Sequence, residues 1–316
     1  MTTLITGSTG LIGTALVRRF AAERGATVVA AARNVAKAEA LFAEFANVKV
    51  VEWDVMRPAA FDVGAVDRLV HAAAETASKA FVEKPVETIA SVVDGTRNVL
   101  EFARRAGVKS MAYLSTMEVY GAPSAARVTE KDYGYLDPTA VRSSYPEAKR
   151  LAENLCVAYA KEYGVPVKVA RLTQTFGEGV RYDDGRVFAE FARAVLEKRD
   201  IVLKTEGTTA RCYCYLGDAV EAIATILEQG VAGEAYTVAN EATFCTIREM
   251  AERLIAAHPE SGSKLVIDTA GAETRGFAPP FRMNLDCAKL RALGWEPKVG
   301  LVEMYDRMMA AMQGLR

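Results

Sequence analysis

Thr2-Thr-Leu-Ile-Thr6-Gly7-Ser8-Thr9-Gly10-Leu11-Ile12-Gly13 stands almost at the start of the chain, and its reading decides the fold. Thr2–Thr6 is a short apolar, β-branched run, the pattern of a buried strand. From Leu11 onward apolar residues fall at Leu11, Ile12, Ala15, Leu16 and Phe20, which is helical spacing and predicts a helix to about Arg24. Between them lie glycines 7, 10 and 13. A chain that turns tightly, brings its backbone against a diphosphate and then packs a helix close to a sheet needs residues without a side chain at those points. The helix start also offers unpaired N–H groups and the positive end of its dipole to an anion. Gly7, Thr9, Gly10, Leu11, Ile12 and Gly13 are therefore candidate dinucleotide contacts.

Further along, strands and helices alternate. Strands are expected at Thr27–Ala32, Val48–Glu52, Arg68–His71, Ser110–Ser115 and Pro166–Leu172, with helices at Val35–Phe45, Val86–Arg105 and Ser144–Tyr163. Repeated β-then-α units predict a parallel sheet covered on both faces. Right-handed crossovers make this an α/β, doubly wound Rossmann fold. The second half is less regular, with helices expected at Phe188–Glu197, Asp218–Gln229, Thr246–Ala257 and Leu301–Met312, and a Gly- and Pro-containing loop over a pocket at Gly271–Pro280. Residues 1–173 read as the dinucleotide-binding domain, with 210–240 returning to it. Residues 174–209 and 241–316 read as a smaller α+β substrate-binding subdomain.

Composition narrows the function. The chain has 316 residues, 51% hydrophobic and 25% charged, in the ordinary globular range, and a net charge of −1. That lacks the basic excess of a nucleic-acid binder. Five cysteines at irregular spacing and only two histidines, His71 and His258, argue against a metal site and for a reducing compartment. Cys212 and Cys214 would share one face of a strand and read as core. No basic leader with an apolar stretch and cleavage signature is present, and no uncharged apolar run reaches membrane-spanning length, so a cytoplasmic protein without a membrane partner is expected.

Ala31-Ala32-Arg33-Asn34 follows the second strand. NAD sites usually carry a carboxylate there for the ribose 2′-hydroxyl. A guanidinium instead suits a 2′-phosphate, so Arg33 favours NADP over NAD. Asp54, after the third strand, is placed either to accept from the adenine amino group or simply to make a turn. Tyr145-Pro-Glu-Ala-Lys149 puts a phenol and an ammonium on one helix face. Ser144-x-x-Glu147 reads as a capping box that starts this helix, and the ammonium is expected to lower the phenol's pKa toward a usable acid/base. Ser115-Thr116-Met117-Glu118 ends the fifth strand, where ligands of open α/β sheets bind.

The glycine loop, His71-Ala72-Ala73-Ala74, Ser115-Thr-Met-Glu-Val-Tyr-Gly121, Tyr145-Pro-Glu-Ala-Lys149, Arg171-Leu-Thr-Gln-Thr-Phe-Gly177 and Asp286-Cys-Ala-Lys-Leu-Arg-Ala-Leu-Gly-Trp295 occur in the order seen in extended short-chain dehydrogenases/reductases, and the chain resembles their nucleotide-sugar epimerase/dehydratase group. The resemblance implies Tyr145 as acid/base, Thr116 as its hydroxyl partner, and Lys149 on the nicotinamide ribose. It also implies cofactor contacts at Val55, Ala72, Ala73, Ala74 and Ser115. Sugar-nucleotide contacts would come from Ser78, Thr116, Glu118, Gln174 and Val187, with Arg211 and Arg282 on the phosphates. A homodimer through the helices near Val86–Arg105 and Tyr145–Tyr163 is implied as well. Gln174 stands where the group usually has Asn, and Val92 where Asn is frequent. Glu118 resembles the glutamate that follows the catalytic Thr in dehydratases and UDP-glucuronate decarboxylases. Met117 lacks the acid that dehydratases add, and Asp184-Gly-Arg-Val-Phe188 looks most like the decarboxylase branch. The expected activity is epimerase/dehydratase-type chemistry through a transient keto-sugar. Alternatives are UDP-glucuronate decarboxylase-like activity, NADP-dependent keto-sugar reduction and, in another class, a non-catalytic dinucleotide sensor.

Overall fold

The computed structural model describes residues 1–270 and 280–314. The first half contains β1 (Thr2–Thr6), α1 (Leu11–Ala21), β2 (Thr27–Ala32), α2 (Val35–Phe42), β3 (Val48–Glu52), β4 (Arg68–His71), α3 (Ala80–Glu83), α4 (Pro85–Arg105), β5 (Ser110–Thr116), α5 (Ser144–Tyr163) and β6 (Val167–Leu172). The second half adds β7 (Gln174–Phe176), α6 (Val187–Leu196), β8 (Ile201–Leu203), β9 (Ala210–Tyr215), α7 (Leu216–Gln229), β10 (Ala235–Val238), β11 (Asn240–Thr246), α8 (Ile247–Ala257), β12 (Leu265–Ile267), β13 (Arg282–Met283), α9 (Ala288–Arg291) and α10 (Leu301–Gly314). Of the stretch expected as a pocket loop, all but Pro280 lies outside the described residues.

Seven strands form one sheet in the order β10-β6-β5-β4-β1-β2-β3, and every pairing in it is parallel. Alternate residues feed two cores, as a strand's period of two requires. Ile5, Val28, Ala30 and Val70 pack with Leu16, Val17 and Phe20 of α1 and with Ile223 and Ile226 of α7. Leu4, Val29, Leu69 and Met111 pack on the opposite face with Val99 and Leu100 of α4 and Ala152 and Cys156 of α5. Burial on both faces explains why these strands read as near-continuous apolar runs. β1 has β2 on one side and β4 on the other, so the chain winds outward in both directions from this point. A crevice opens at the carboxyl ends of the strands where the winding reverses.

The smaller sheet is organised around β9, which pairs antiparallel with β11 and parallel with β7 and β13. Cys212 and Cys214 are both fully buried in it. Phe176, Phe188, Met250, Leu254, Met304 and Met308 build a third core beneath this part. Asp218 stitches it to the main body: its carboxylate accepts from the Lys298 and Val299 amides at 2.9 Å, and its carbonyl accepts from the Trp295 indole at 3.0 Å. No described helix is long and apolar enough to cross a membrane.

Packing is very close at the first turn. A Cβ on residue 13 would stand 2.1 Å from the Gly7 carbonyl oxygen, which is backbone and has nowhere to move. Gly13→Ala is therefore expected to destabilise the fold by about 1–3 kcal/mol, read as a lowered Tm in thermal unfolding. Gly300→Ala, whose Cβ would meet nothing within 4 Å, should leave Tm in place. An unchanged Tm for Gly13→Ala would refute the close approach.

Candidate active site

The crevice at the switch point is a cavity of about 810 Å³. All of the catalytic and cofactor candidates line it: Gly7, Thr9, Gly10, Leu11, Ile12, Gly13, Arg33, Asp54, Val55, Ala72, Ala73, Ala74, Ser115, Thr116, Glu118, Tyr145 and Lys149. Ser78 and Gln174 line it too. Val187, Arg211 and Arg282 do not. Val187 opens α6, and its neighbour Arg186 lines the cavity instead. Arg211 and Arg282 belong to β9 and β13 and lie over the rings of Phe281 and Phe244.

At one end the glycine loop is held by backbone contact. Gly7 has φ +66°, and a Cβ there would come within 2.8 Å of the Ala72 and Ala73 backbone. The Ser8 hydroxyl donates to the Ala31 carbonyl at 3.0 Å, and the Thr14 hydroxyl donates to Ser8 at 3.0 Å. α1 then begins at Gly10 with no side-chain cap and no acidic residue in its first turn. An uncapped helix start behind a loop that leaves no room for side chains fits a dinucleotide's diphosphate. Arg33 is exposed, with no ion pair among the described residues, beside Asn34 and Lys37. Asp54 accepts from the Met56 amide at 3.1 Å, a turn contact that leaves its second oxygen to the cavity.

At the other end the catalytic candidates meet. Tyr145 is 6% exposed and stacks on Phe81, with ring centroids 4.1 Å apart. The expected capping box does not form. Ser143 is the N-cap residue, without a side-chain cap, and the Ser144 hydroxyl donates to the Phe81 carbonyl at 2.9 Å, tying α5 to α3. A tertiary partner has outcompeted the local one. The capping box that does form is Thr246 with Glu249, at the start of α8. Burial pushes the Tyr145 phenol up from its ordinary pKa, the Glu118 carboxylate pushes the same way, and the adjacent Thr116 hydroxyl and Arg142 oppose it. This corrects the expectation that Lys149 sharpens the phenol. The Lys149 ammonium instead donates to the Leu114 carbonyl at 2.7 Å and lies 4.6 Å from the Tyr113 ring centroid and 5.9 Å from that of Tyr145. Its own pKa is lowered to about 8 by burial, which Glu153 and Cys156 oppose. Tyr145 thus rests as a neutral phenol.

Thr116 ends β5, and its hydroxyl accepts from the Glu118 amide at 3.2 Å. Glu118 pairs with Arg142 at 3.0 Å, and that guanidinium covers the outer side of Phe81. Among the lining residues that the sequence reading did not single out, Phe81, Lys37 and Arg186 stand out. Phe81 lies in a four-residue helix too short for a periodic signal. Lys37 is one polar residue among many on α2. Arg186 sat inside a quoted motif, one position from the residue chosen.

Fold and site together define a dinucleotide-binding enzyme of the short-chain dehydrogenase/reductase type. A family model described as the NAD dependent epimerase/dehydratase family matches residues 3–239, and the chain belongs to that family. It is 32% identical over 309 residues to UDP-glucuronic acid decarboxylase 3 of Arabidopsis thaliana, covering 96% of this chain and 86% of that one. Identity to UDP-glucuronic acid decarboxylase 1 of Xenopus tropicalis is 29% over 307 residues, covering 95% and 69%. Among solved structures, a dTDP-glucose 4,6-dehydratase of Streptomyces venezuelae with NAD bound superimposes with a TM-score of 0.82 at 25% identity, covering 99% of this chain and 97% of that one. A UDP-glucose 4-epimerase of Thermotoga maritima gives 0.84 at 22% identity, covering 100% and 99%, and shares the fold.

His71 lies fully buried behind the cavity, between the hydroxyls of Thr6 at 2.8 Å and Thr96 at 3.3 Å. Burial and the Lys149 charge lower its pKa from 6.5 to about 3. Between those values the unfolded chain binds a proton that the folded one refuses, so His71 contributes stability that is fully present above pH 6.5 and lost as pH falls toward 3. Tm measured from pH 7 to pH 4 should therefore fall less steeply in His71→Gln than in the parent. Equal slopes would show that His71 takes no part.

Proposed function

We propose that the protein oxidises a hydroxyl of a nucleotide-linked sugar to a ketone in this cavity, and that its substrate is a UDP-linked glucuronate which then loses CO2. The observation that carries the reading is the meeting of Thr116, Glu118, Tyr145 and Lys149 at the mouth of the glycine-lined crevice. Likeness to UDP-glucuronic acid decarboxylases over 96% of the chain supports the branch.

Bound along Gly7–Gly13 and Ala72–Ala74, the dinucleotide would accept a hydride from the sugar carbon, return it to the keto-sugar once CO2 has left, and in its oxidised form bring a positive ring. A positive charge in the cavity acts against the burial that raises Tyr145, which is the direction a base needs. Tyr145 takes the proton of the sugar hydroxyl, with Thr116 holding the oxygen through its own hydroxyl. Lys149, fixed by the Leu114 carbonyl, offers its remaining N–H donors to the cavity. A ketone one carbon from the carbon that carries the carboxylate makes a β-keto acid. Its C–C bond breaks, CO2 leaves, and the electron pair remains as an enolate that takes a proton. Arg186 lines the sugar end of the cavity and suits a carboxylate, though it also binds Asp184 at 2.6 Å. Arg211 has a buried Nε without a partner among the described residues, which supports a role on the substrate phosphates. In this reading residues 1–173 with 210–240 carry the dinucleotide, and 174–209 with 241–316, including Arg282 and Val187, close over the nucleotide sugar. Exposed Val86 and Ile89 on α4 and Leu151, Val157 and Tyr163 on α5 support a homodimer through that helix pair. Five free, buried cysteines suit a reducing compartment such as the cytoplasm.

Incubation with UDP-, dTDP-, GDP- and CDP-sugars and mass analysis of the products tests the reading. UDP-glucuronate should yield a product lighter by the mass of CO2, and Tyr145→Phe should lower turnover by on the order of 10²–10⁴-fold while keeping the fold. A product of unchanged mass would make the protein an epimerase, and full activity in Tyr145→Phe would remove the phenol from the mechanism.

NADP preference is the finer proposal on the cofactor. No carboxylate follows β2, and Arg33 and Lys37 face the cavity there. NADP should bind more tightly than NAD, and Arg33→Asp should weaken NADP by about 10–100-fold, the worth of charge-assisted hydrogen bonds, with Kd measured by calorimetry. Tighter binding of NAD by the parent would overturn the assignment.

A further inference from the structure

Tyr145, Lys149 and Glu153 stand four residues apart on α5 and form one stripe facing the sheet. The first two meet the cavity, and the third lies one turn deeper. Its carboxylate is buried and accepts from three donor groups of two residues. The Ser115 hydroxyl donates to Glu153 Oε1 at 2.5 Å. Arg171 Nε donates to both carboxylate oxygens at 3.1 and 3.2 Å, and Arg171 Nη2 reaches Oε2 at 2.7 Å. Ser115 and Arg171 are register partners on β5 and β6, so the carboxylate bridges two adjacent strands from the helix above them. Arg171 is itself 2% exposed, held by the Glu130 carbonyl at 2.9 Å and set between the rings of Tyr120 and Tyr133, 5.0 Å from each centroid.

We propose that Glu153 is a positioning residue for the reaction: its carboxylate anchors the end of β5 through Ser115 and supplies the buried counter-charge for Lys149. This rests on reading Tyr145 and Lys149 as the pair that meets substrate and cofactor. Ser115 immediately precedes Thr116, so fixing its side chain fixes where β5 stops and where the Thr116 hydroxyl points. Around the Lys149 ammonium stand Tyr145, Glu153 and Cys156 from α5, Tyr113 from β5 and His71 from β4. Burial keeps the two phenols and the thiol protonated, and burial together with Lys149 keeps the imidazole neutral. Glu153 is the one member of that set able to carry negative charge. A desolvated ammonium without it would have only the Leu114 carbonyl and the face of the Tyr113 ring for company, and no counter-charge.

The direct test follows Lys149 itself and needs no turnover. In protein carrying ¹³Cε-lysine, with the Lys149 signal assigned by its absence from Lys149→Met, the parent should titrate near pH 8. Glu153→Gln should bring the midpoint down by about one pH unit or more, and Glu153→Asp should restore most of it. Gln leaves Arg171 buried without its carboxylate, and that unpaired cation would itself lower Lys149, so Glu153→Gln/Arg171→Met, which removes both charges, is titrated alongside and should fall in the same direction by a smaller amount. Ser115→Ala should leave the midpoint in place. Midpoints in the Gln variants equal to the parent's would overturn the proposal and leave Glu153 a purely structural half of an ion pair. With UDP-glucuronate as substrate, the alkaline limb of kcat should move by the same amount as the midpoint. If the parent turns over no nucleotide sugar, the activity reading fails, and the titration still decides the part played by Glu153.

Discussion

Backbone meets backbone where β1 turns into α1, and the rest of the molecule depends on that contact. Gly7 lies against Ala72 and Ala73 at the end of β4, and Gly13 lies against Gly7. A single methyl group at either glycine would force strands or helix apart. β1 and β4 can be neighbours with their ends flush only because the turn after β1 carries no side chain at Gly7. That adjacency is the winding switch of the sheet, and from it come the crevice and the aim of α1's uncapped start into it. α5 then crosses β5 and β6 so that the first two turns of its inner stripe overhang the same opening.

Burial, more than pairwise attraction, sets the protonation states in that opening. Tyr145, Tyr113 and Cys156 are pushed toward their neutral forms and His71 is held neutral. Lys149 is drawn down to about 8 and stays mostly charged near neutral pH. A low-dielectric pocket whose buried cation is Lys149 gives large leverage to any further charge placed beside it, since Coulomb energies grow as screening falls. The phenol is therefore poised to respond to what binds, and its free-state protonation differs from the one a base requires.

Legibility in the sequence followed element length and type of partner. β1 to β6 and the long helices were readable because each carries enough residues for a period to repeat, and the glycine triplet showed which turn mattered. The short strands β7, β8, β12 and β13, two to three residues each, carry no period and were invisible. The cofactor and catalytic candidates other than Tyr145 and Lys149 gather in one cavity because they lie at or just after β-strand ends, whose destination the fold dictates, and α5 brings Tyr145 and Lys149 over the same opening. Arg211 and Arg282 fall outside it because their strands belong to the smaller sheet, whose pairing across distant segments no local pattern reveals. Ser144 failed as a cap for a related reason: its hydroxyl found the Phe81 carbonyl, 63 residues away, in place of its own helix. Glu153 was not singled out although it repeats the Tyr145 and Lys149 spacing, because its partners come from two other strands.

The reaction branch turns on what each outcome demands of side chains once a ketone exists. Expelling a hydroxyl group as water requires a proton donor at the leaving oxygen. The position beside Thr116 where such an acid would stand is Met117, 3% exposed, whose sulfur accepts from the Thr173 hydroxyl. Inverting a stereocentre requires room for the keto-sugar to rotate between two faces. Loss of CO2 from a β-keto acid asks for neither. The carboxylate departs with its own bond, and a single protonated group suffices to quench the enolate. A neutral phenol, one glutamate clamped by Arg142 and a methionine in the acid position are the features that support the proposed loss of CO2, the least demanding of the three.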